Sequence, residues 1–282
     1  MRATLLLWCH DRPGLVAAVA QFVVEHGGNI VDAEQHTDTE LSIFFQRVVF
    51  DVAGSDATHA SLGAAFDDVA RPLEMSYTMS DPDRRSRVAI FMSREPHCTY
   101  DLLARWRGGE LHADIPIVVS NHADHADVAA HFGVAFHHLP VSSDTRAQQE
   151  RRAVELLEAE GVDLVVLARY MQVLSPDFVS RFEHRIINIH HSFLPAFAGA
   201  RPYHQAHERG VKVIGATAHY VTAELDEGPI ISQDVGQVSH RDRVADLVRT
   251  GRDLEKIVLA RAVRAHLEHR VLVYANKTVV FG

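Results

Sequence analysis

From residue 88 onward the chain alternates short, nearly continuous apolar runs with helix-period segments. No other feature limits the possible folds as much. Val88 to Met92, Ile115 to Val119, Ala135 to His137, Leu164 to Ala168 and Ile186 to Ile189 are the apolar runs. Between them, Thr99 to Trp106, His125 to Phe132 and Arg146 to Glu160 repeat at helical spacing. A strand that is apolar on both faces must be covered on both, so this alternation predicts a mostly parallel α/β sheet with helices on either side, Rossmann-like in layout. Ligands of such open sheets bind at the carboxyl ends of the strands.

The first 80 residues carry a different pattern. Thr4 to Cys9 reads as a strand, and Asp11-Arg12-Pro13-Gly14-Leu15 as a turn whose proline starts a helix. Leu15, Val16, Val19, Ala20, Phe22 and Val23 recur at helical spacing up to His26-Gly27-Gly28, a helix stop. Asn29 to Thr37 and Leu41 to Val52 read as strands, Asp56 to Ala70 as a helix and Leu73 to Met79 as a last strand. The order βαββαβ predicts a ferredoxin-like sandwich. Ser80 to Arg87 is charged, polar and without apolar period, hence a linker. The expected domains are therefore 1–80, a linker over 81–87, and 88–282. In the last of these, Asp242 to His269 reads as closing helices broken near Gly251. Ala275-Asn276-Lys277 reads as a hairpin turn between Arg270–Tyr274 and Thr278–Phe281, elements expected to cover the sheet and support an oligomer contact.

Several function classes are excluded at this point. The net charge of −9 argues against a nucleic-acid footprint. The apolar start Met1 to Trp8 meets His10-Asp11-Arg12-Pro13 too soon for a signal peptide or membrane span, so a cytoplasmic protein is expected, with no membrane partner. Cys9 and Cys98 fall in different expected domains, which fits a reducing compartment without a structural disulfide. No Gly-x-Gly-x-x-Gly or phosphate-loop sequence occurs, against NAD or ATP. Twenty histidines raise the question of metal. His122 and His125, His137-His138 and His190-His191 are the candidates, but adjacent strand residues face opposite ways and no Cys cluster or His-Glu-x-x-His accompanies them, so no metal is expected.

The candidate site lies in Ile186-Ile187-Asn188-Ile189-His190. Asn188 and His190 are two apart on a strand and share a face, and an amide and an imidazole in so apolar a run need partners or a function. Downstream come Ala218-His219-Tyr220 and Leu225-Asp226-Glu227-Gly228-Pro229. Amide, imidazole and carboxylate make an oxyanion donor, a general acid/base and a group that orients the imidazole. Taken singly, His190 fits a hydrogen-bonded core histidine and Asp226 a turn former, and spacing leaves both readings open.

Asn188-Ile189-His190 with Leu194-Pro195, Gly215 to His219, and Asp226 to Ile231 resemble the Asn-His-Asp signature of folate-dependent formyltransferases. The longer string Ile187 to Tyr203, ending Phe197-Ala198-Gly199-Ala200-Arg201-Pro202-Tyr203, resembles the 10-formyltetrahydrofolate deformylase family. The resemblance runs from about Arg2 to the C-terminus. It implies hydrolysis of 10-formyltetrahydrofolate to tetrahydrofolate and formate, supplying formate for purine synthesis and balancing folate one-carbon pools, with no tightly bound cofactor. It assigns catalysis to Asn188, His190 and Asp226, with His219 orienting the carboxylate and Asp226 holding the water. It places the pterin ring against Met171, Gln172, Val173 and Leu174, with Thr222, Ala223, Glu224 and Leu225 as the opposite wall. Leu174 and its neighbours also fit a plain hydrophobic cluster.

In glycinamide ribonucleotide formyltransferase, the loop after the first strand is Gly-Ser-Asn-rich and holds the substrate phosphate. Here it is Ser93-Arg94-Glu95-Pro96-His97-Cys98, without glycine and with an added acid and proline, a poor phosphate cradle. Water is then the expected acceptor. The other readings are a formyltransferase with an amine acceptor and an amino-acid- or folate-responsive regulatory protein. The N-terminal module resembles an ACT domain. That implies a homo-oligomer (dimer or tetramer) and an amino-acid effector, glycine or methionine, near Asp11, Gly14, Leu15, Asn29 and Ile30. The same Pro-Gly pair also fits a simple helix start.

Overall fold

The computed structural model describes residues 1–53, 58–142, 144–195 and 202–282. The chain divides into two units. One is Met1–Arg85 with Glu268–Tyr274 and Val279–Gly282; the other is Ser86–Leu267 with Ala275–Thr278.

The first unit contains β1 (Arg2–His10), α1 (Leu15–Glu25), β2 (Gly28–Asp38), β3 (Ile43–Val52), α2 (His59–Ala70) and β4 (Ser76–Ser80). Its sheet order is β2-β3-β1-β4, every neighbouring pair antiparallel, as the ferredoxin-like reading requires. Ala3, Leu5, Leu7 and Cys9 alternate along β1 and share one core with Phe44, Val48 and Phe50 of β3 and with Leu15, Val19, Phe22, Leu62 and Phe66 of the helices. Gly14 caps α1 at φ 94, a left-handed conformation that favours glycine. Thr58 and Ser61 form a capping box that opens α2. Asp56, the expected helix start, lies outside the described residues.

Several of the intervening residues of β1 and β3 are apolar too: Leu6, Trp8, Ile43 and Phe45. Leu6, Ile43 and Phe45 are buried with Leu272 and Phe281 of the C-terminal hairpin (Val271–Tyr274, Lys277–Val280), and the Trp8 and Tyr274 rings meet edge-on at 4.7 Å. This departs from the expected span of 88–282 for the second domain. An apolar patch on the second face of central strands needs a cover, and residues 268–274 and 279–282 supply it.

The second unit runs β5 (Ser86–Met92), α3 (His97–Arg107), β6 (Ala113–Ser120), α4 (Ala126–Phe132), β7 (Ala135–His138), α5 (Arg146–Ala159), β8 (Leu164–Ala168), α6 (Pro176–Arg181), β9 (Ile186–His190), α7 (Pro202–Arg209), β10 (Val213–Tyr220), β11 (Ile230–Gln237) and α8 (Val244–Leu267). Its sheet order is β11-β10-β9-β8-β5-β6-β7. β9, β8, β5, β6 and β7 are parallel, and β10 and β11 add an antiparallel edge. The linker is shorter than expected, because β5 already begins at Ser86 and the Arg87 N–H donates to the Asp163 carboxylate at 2.8 Å.

α8 is one unbroken helix rather than two broken near Gly251. A Cβ on Gly251 would sit 2.0 Å from Tyr203 Oη. The glycine makes room for that ring and does not end the helix. No described helix is long and apolar enough to cross a membrane.

Candidate active site

β9 is the frame of the site. Ile186, Asn188 and His190 share one face, and Ile186 joins Leu167, Tyr170 and Phe178 in the core on that side. β10 runs antiparallel beside it, pairing Thr217 with His190 and His219 with Asn188. His219 therefore stands next to Asn188 on the same face, and its Nε2 is 3.3 Å from Asn188 Nδ2. The other ring nitrogen, Nδ1, is 2.8 Å from the Tyr220 carbonyl oxygen, so Nδ1 carries a proton and donates it. In that tautomer Nε2 accepts from the Asn188 amide. That contact fixes the NH2 end of Asn188 toward His219 and leaves its second N–H to point elsewhere.

Asp226 arrives from the loop leaving β10. This loop starts at the far end of β9, where the Val221 N–H donates to the Ile186 carbonyl, and closes where the Tyr220 N–H donates to Pro229, both at 2.9 Å. Between these ties the chain folds back until Asp226 Oδ2 lies 3.2 Å from His190 Nδ1 and Oδ1 lies 3.7 Å from His219 Nε2. Two backbone features allow this path. Asp226 sits at φ 58, a left-handed conformation Asp tolerates better than most residues. Gly228 passes so close to β10 that a Cβ would fall 1.8 Å from the Tyr220 oxygen. The hydrogen bond from His190 is the largest cause holding the Asp226 carboxyl well below the usual carboxylate range.

An ionised Asp226 takes the Nδ1 proton of His190 as a hydrogen bond, which leaves Nε2 with the lone pair. His190 is only 5% exposed, and its Nε2 has no hydrogen-bond partner among the described residues. A buried nitrogen unbonded among the described residues, oriented by a carboxylate and beside a pinned amide, suits a proton carrier. His191 stacks on the His190 ring with centroids 5.1 Å apart, and its other neighbour is Tyr203 at 6.2 Å. Burial, then Arg169 and His190, push its pKa down to about 4, so it stays neutral at physiological pH.

The expected pocket residues divide by burial. Arg169 and Met171 both have positive φ, 63 and 59, on either side of Tyr170. This backbone buries Tyr170, whose hydroxyl accepts from Gln149 at 2.9 Å, and turns Met171 outward. Met171 is 60% exposed, Val173 51% and Leu225 65%, apolar groups left uncovered on both loops assigned to the ring. Gln172 and Thr222 are half-buried, and Ala223 and Glu224 exposed. Leu174 packs on the core that also takes Val221 at the root of the Asp226 loop, so it is a support rather than a free wall. In the first unit Asp11, Gly14, Asn29 and Ile30 are exposed, whereas Leu15 is inside the core and offers a ligand only its backbone. Phe197 to Arg201 lie outside the described residues.

A second polar cluster went unseen in the sequence. Glu255 of α8, 1% exposed, accepts from Tyr203 Oη at 2.6 Å and is 2.7 Å from His97 Nε2 and 3.5 Å from Arg169 Nε. These contacts hold its carboxyl below the usual range despite burial. A signal existed: Glu255 falls on the buried stripe Leu247, Gly251, Leu259, Ala262. His97, Cys98 and Glu255 place ligand-type atoms within 4.8 Å of one another. The Arg169 guanidinium beside them and the Cys98 thiol, held protonated by burial, suit a dication poorly.

The open sheet with its Asn-His-Asp group defines the class: the Formyl transferase family model matches residues 86–263, and the ACT domain model matches residues 3–62. A formyltetrahydrofolate deformylase of Synechocystis sp. (strain ATCC 27184 / PCC 6803 / Kazusa) is 53% identical, covering 100% of this chain and 99% of its own. The crystal structure of a formyltetrahydrofolate deformylase from Pseudomonas syringae pv. tomato str. DC3000 superposes with a TM-score of 0.96 at 47% identity, over 100% of this chain and 95% of that one. A glycinamide ribonucleotide transformylase from Symbiobacterium toebii matches at 34% identity and TM-score 0.67, over 70% of this chain and 95% of its own. The chain belongs to the formyltetrahydrofolate deformylase family.

Proposed function

We propose that the chain hydrolyses 10-formyltetrahydrofolate to tetrahydrofolate and formate, with His190 as proton carrier, Asn188 as oxyanion donor and Asp226 as the charge behind the imidazole. The observation that carries this assignment is the buried Nε2 of His190, which has no hydrogen-bond partner among the described residues while the other nitrogen is held by Asp226. Nε2 takes a proton from water as the water attacks the formyl carbon. The carbonyl oxygen gains charge and receives the second N–H of Asn188, the first being held by His219. As the tetrahedral intermediate collapses, the proton passes from His190 to N10, which leaves as the amine of tetrahydrofolate. Asp226 Oδ2 stabilises the imidazolium in between, and Oδ1 is the oxygen available to a water. The uncovered Met171, Val173 and Leu225 offer apolar contact to the pterin ring.

Purified protein given 10-formyltetrahydrofolate and no amine should release formate and tetrahydrofolate in equal amounts. Substrate that stays formylated until an amine is added would overturn the hydrolytic reading. The first unit, in this account, makes the protein a homo-oligomer and binds a small amino acid, glycine or methionine. The carboxylate of the amino acid would sit at the Gly14 helix start and its ammonium at Asp11 or Asn29.

A further inference from the structure

β10 presents three residues to the catalytic face, Gly215, Thr217 and His219, and each supports something different. His219 holds Asn188. Gly215 leaves room for Phe193, since a Cβ there would lie 2.9 Å from the Phe193 Cβ. Thr217 is paired with His190 on one side and with Gln233 of β11 on the other, and it is fully buried. Its hydroxyl donates to the Ser192 carbonyl at 2.9 Å and accepts from the Leu194 N–H at 3.1 Å and from Gln233 Nε2 at 2.9 Å. Gln233 Nε2 also donates to the Leu194 carbonyl at 3.1 Å. Two side chains thus satisfy three backbone groups of the segment that leaves His190, and that segment lies across β10 rather than continuing the strand.

We propose that Thr217 and Gln233 are positioning residues for the reaction: they clamp Ser192 to Leu194 onto β10 and so fix the backbone from which the His190 imidazole projects. Asp226 sets one end of that ring. The other end, Nε2, has no hydrogen-bond partner among the described residues, and the ring that stacks on the imidazole belongs to His191, the first residue of the segment after the strand, so its place depends on that backbone. A misplacement of about 1 Å at a reacting atom costs on the order of 10²-fold in rate. Losing the clamp should therefore lower kcat while leaving the pterin contacts, and KM, largely alone. This inference rests on His190 as the proton carrier.

The test is steady-state formate release by the full-length protein carrying Thr217→Val, Thr217→Ser or Gln233→Leu. Thr217→Val, which keeps the shape and removes the hydroxyl, should lower kcat about 10–100-fold, with KM changed less than about threefold. Thr217→Ser restores the hydroxyl and should recover most of the rate, and Gln233→Leu should fall between. A structural role alone would lower the melting temperature and the folded fraction but not kcat per folded molecule. Thr217→Val with kcat within twofold of the parent, or Thr217→Ser no better than Thr217→Val, overturns the inference. If Thr217→Val does not fold, Gln233→Leu decides: unchanged kcat refutes the clamp. Failure of the parent protein to release formate would instead refute the hydrolase reading, and the two failures are separable in one experiment.

Discussion

Replacing Gly251 by alanine in the middle of α8 should destabilise the protein, the reverse of the usual rule. In an exposed helix interior, Gly→Ala gains about 1 kcal/mol. Here the new Cβ would stand 2.0 Å from Tyr203 Oη and 2.3 Å from its Cζ. Forcing a rigid, buried ring aside costs about 1–3 kcal/mol. The displaced hydroxyl also leaves the Glu255 carboxylate, to which it donates at 2.6 Å, and a bond to a buried charge is worth about 1.5–3 kcal/mol. Set against the helical gain, the net loss is about 3 kcal/mol. For a unit of this size that lowers Tm by about 6–12 °C. Thermal unfolding by circular dichroism measures it. In a Tyr203→Ala background the obstacle is gone, and Gly251→Ala should then raise Tm by about 2–4 °C. If Gly251→Ala alone leaves Tm unchanged or raises it, the close approach of Tyr203 is not what fixes the glycine.

Asn188→Ala should lower kcat about 10²–10³-fold with little change in KM, because the second N–H is needed most when the formyl oxygen is charged; a change confined to KM would make Asn188 a binding residue. Asp226→Asn should fold and lose nearly all turnover, and it should also flatten the acid limb of stability. The folded carboxyl titrates below its unfolded value, so its contribution is complete above pH ~4 and is lost as pH falls through the lower folded value; melting curves from pH 7 to pH 3 read the difference between the two proteins. Gly228→Ala should cost activity far more than stability by pushing the Asp226 loop off β10, checked by kcat and Tm together. Calorimetry with a panel of amino acids should find one that binds and changes the rate, a response lost in Asn29→Ala while basal turnover survives.

The strand-borne half of the site was legible because it depends on local periodicity. Asn188 and His190 two apart in an apolar run must share a face in any sheet, and β5 to β9 follow the apolar runs within a few residues. The parts set by register were not legible. Nothing near His219 says that it pairs with Asn188, nor near Thr217 that it pairs with His190, until β9 and β10 are laid antiparallel. Gly251 was misread because a glycine on a helical stripe looks the same whether it ends the helix or admits a ring. The C-terminal hairpin was legible as a hairpin but not as cover for the first sheet, because the residues it covers lie more than two hundred positions earlier. The clue was Leu6, Trp8, Ile43 and Phe45 on the second face of β1 and β3, an apolar patch without a cover among the nearby elements.

The central claim is that water takes the formyl group with His190 carrying the proton. A single-turnover reaction in water enriched in oxygen-18 tests it most directly, with the formate analysed by mass spectrometry. The account predicts one solvent oxygen in every formate released by the parent protein, and no formate above the uncatalysed background from His190→Ala. Formate without solvent oxygen, or His190→Ala turning over at the parent rate, would contradict it.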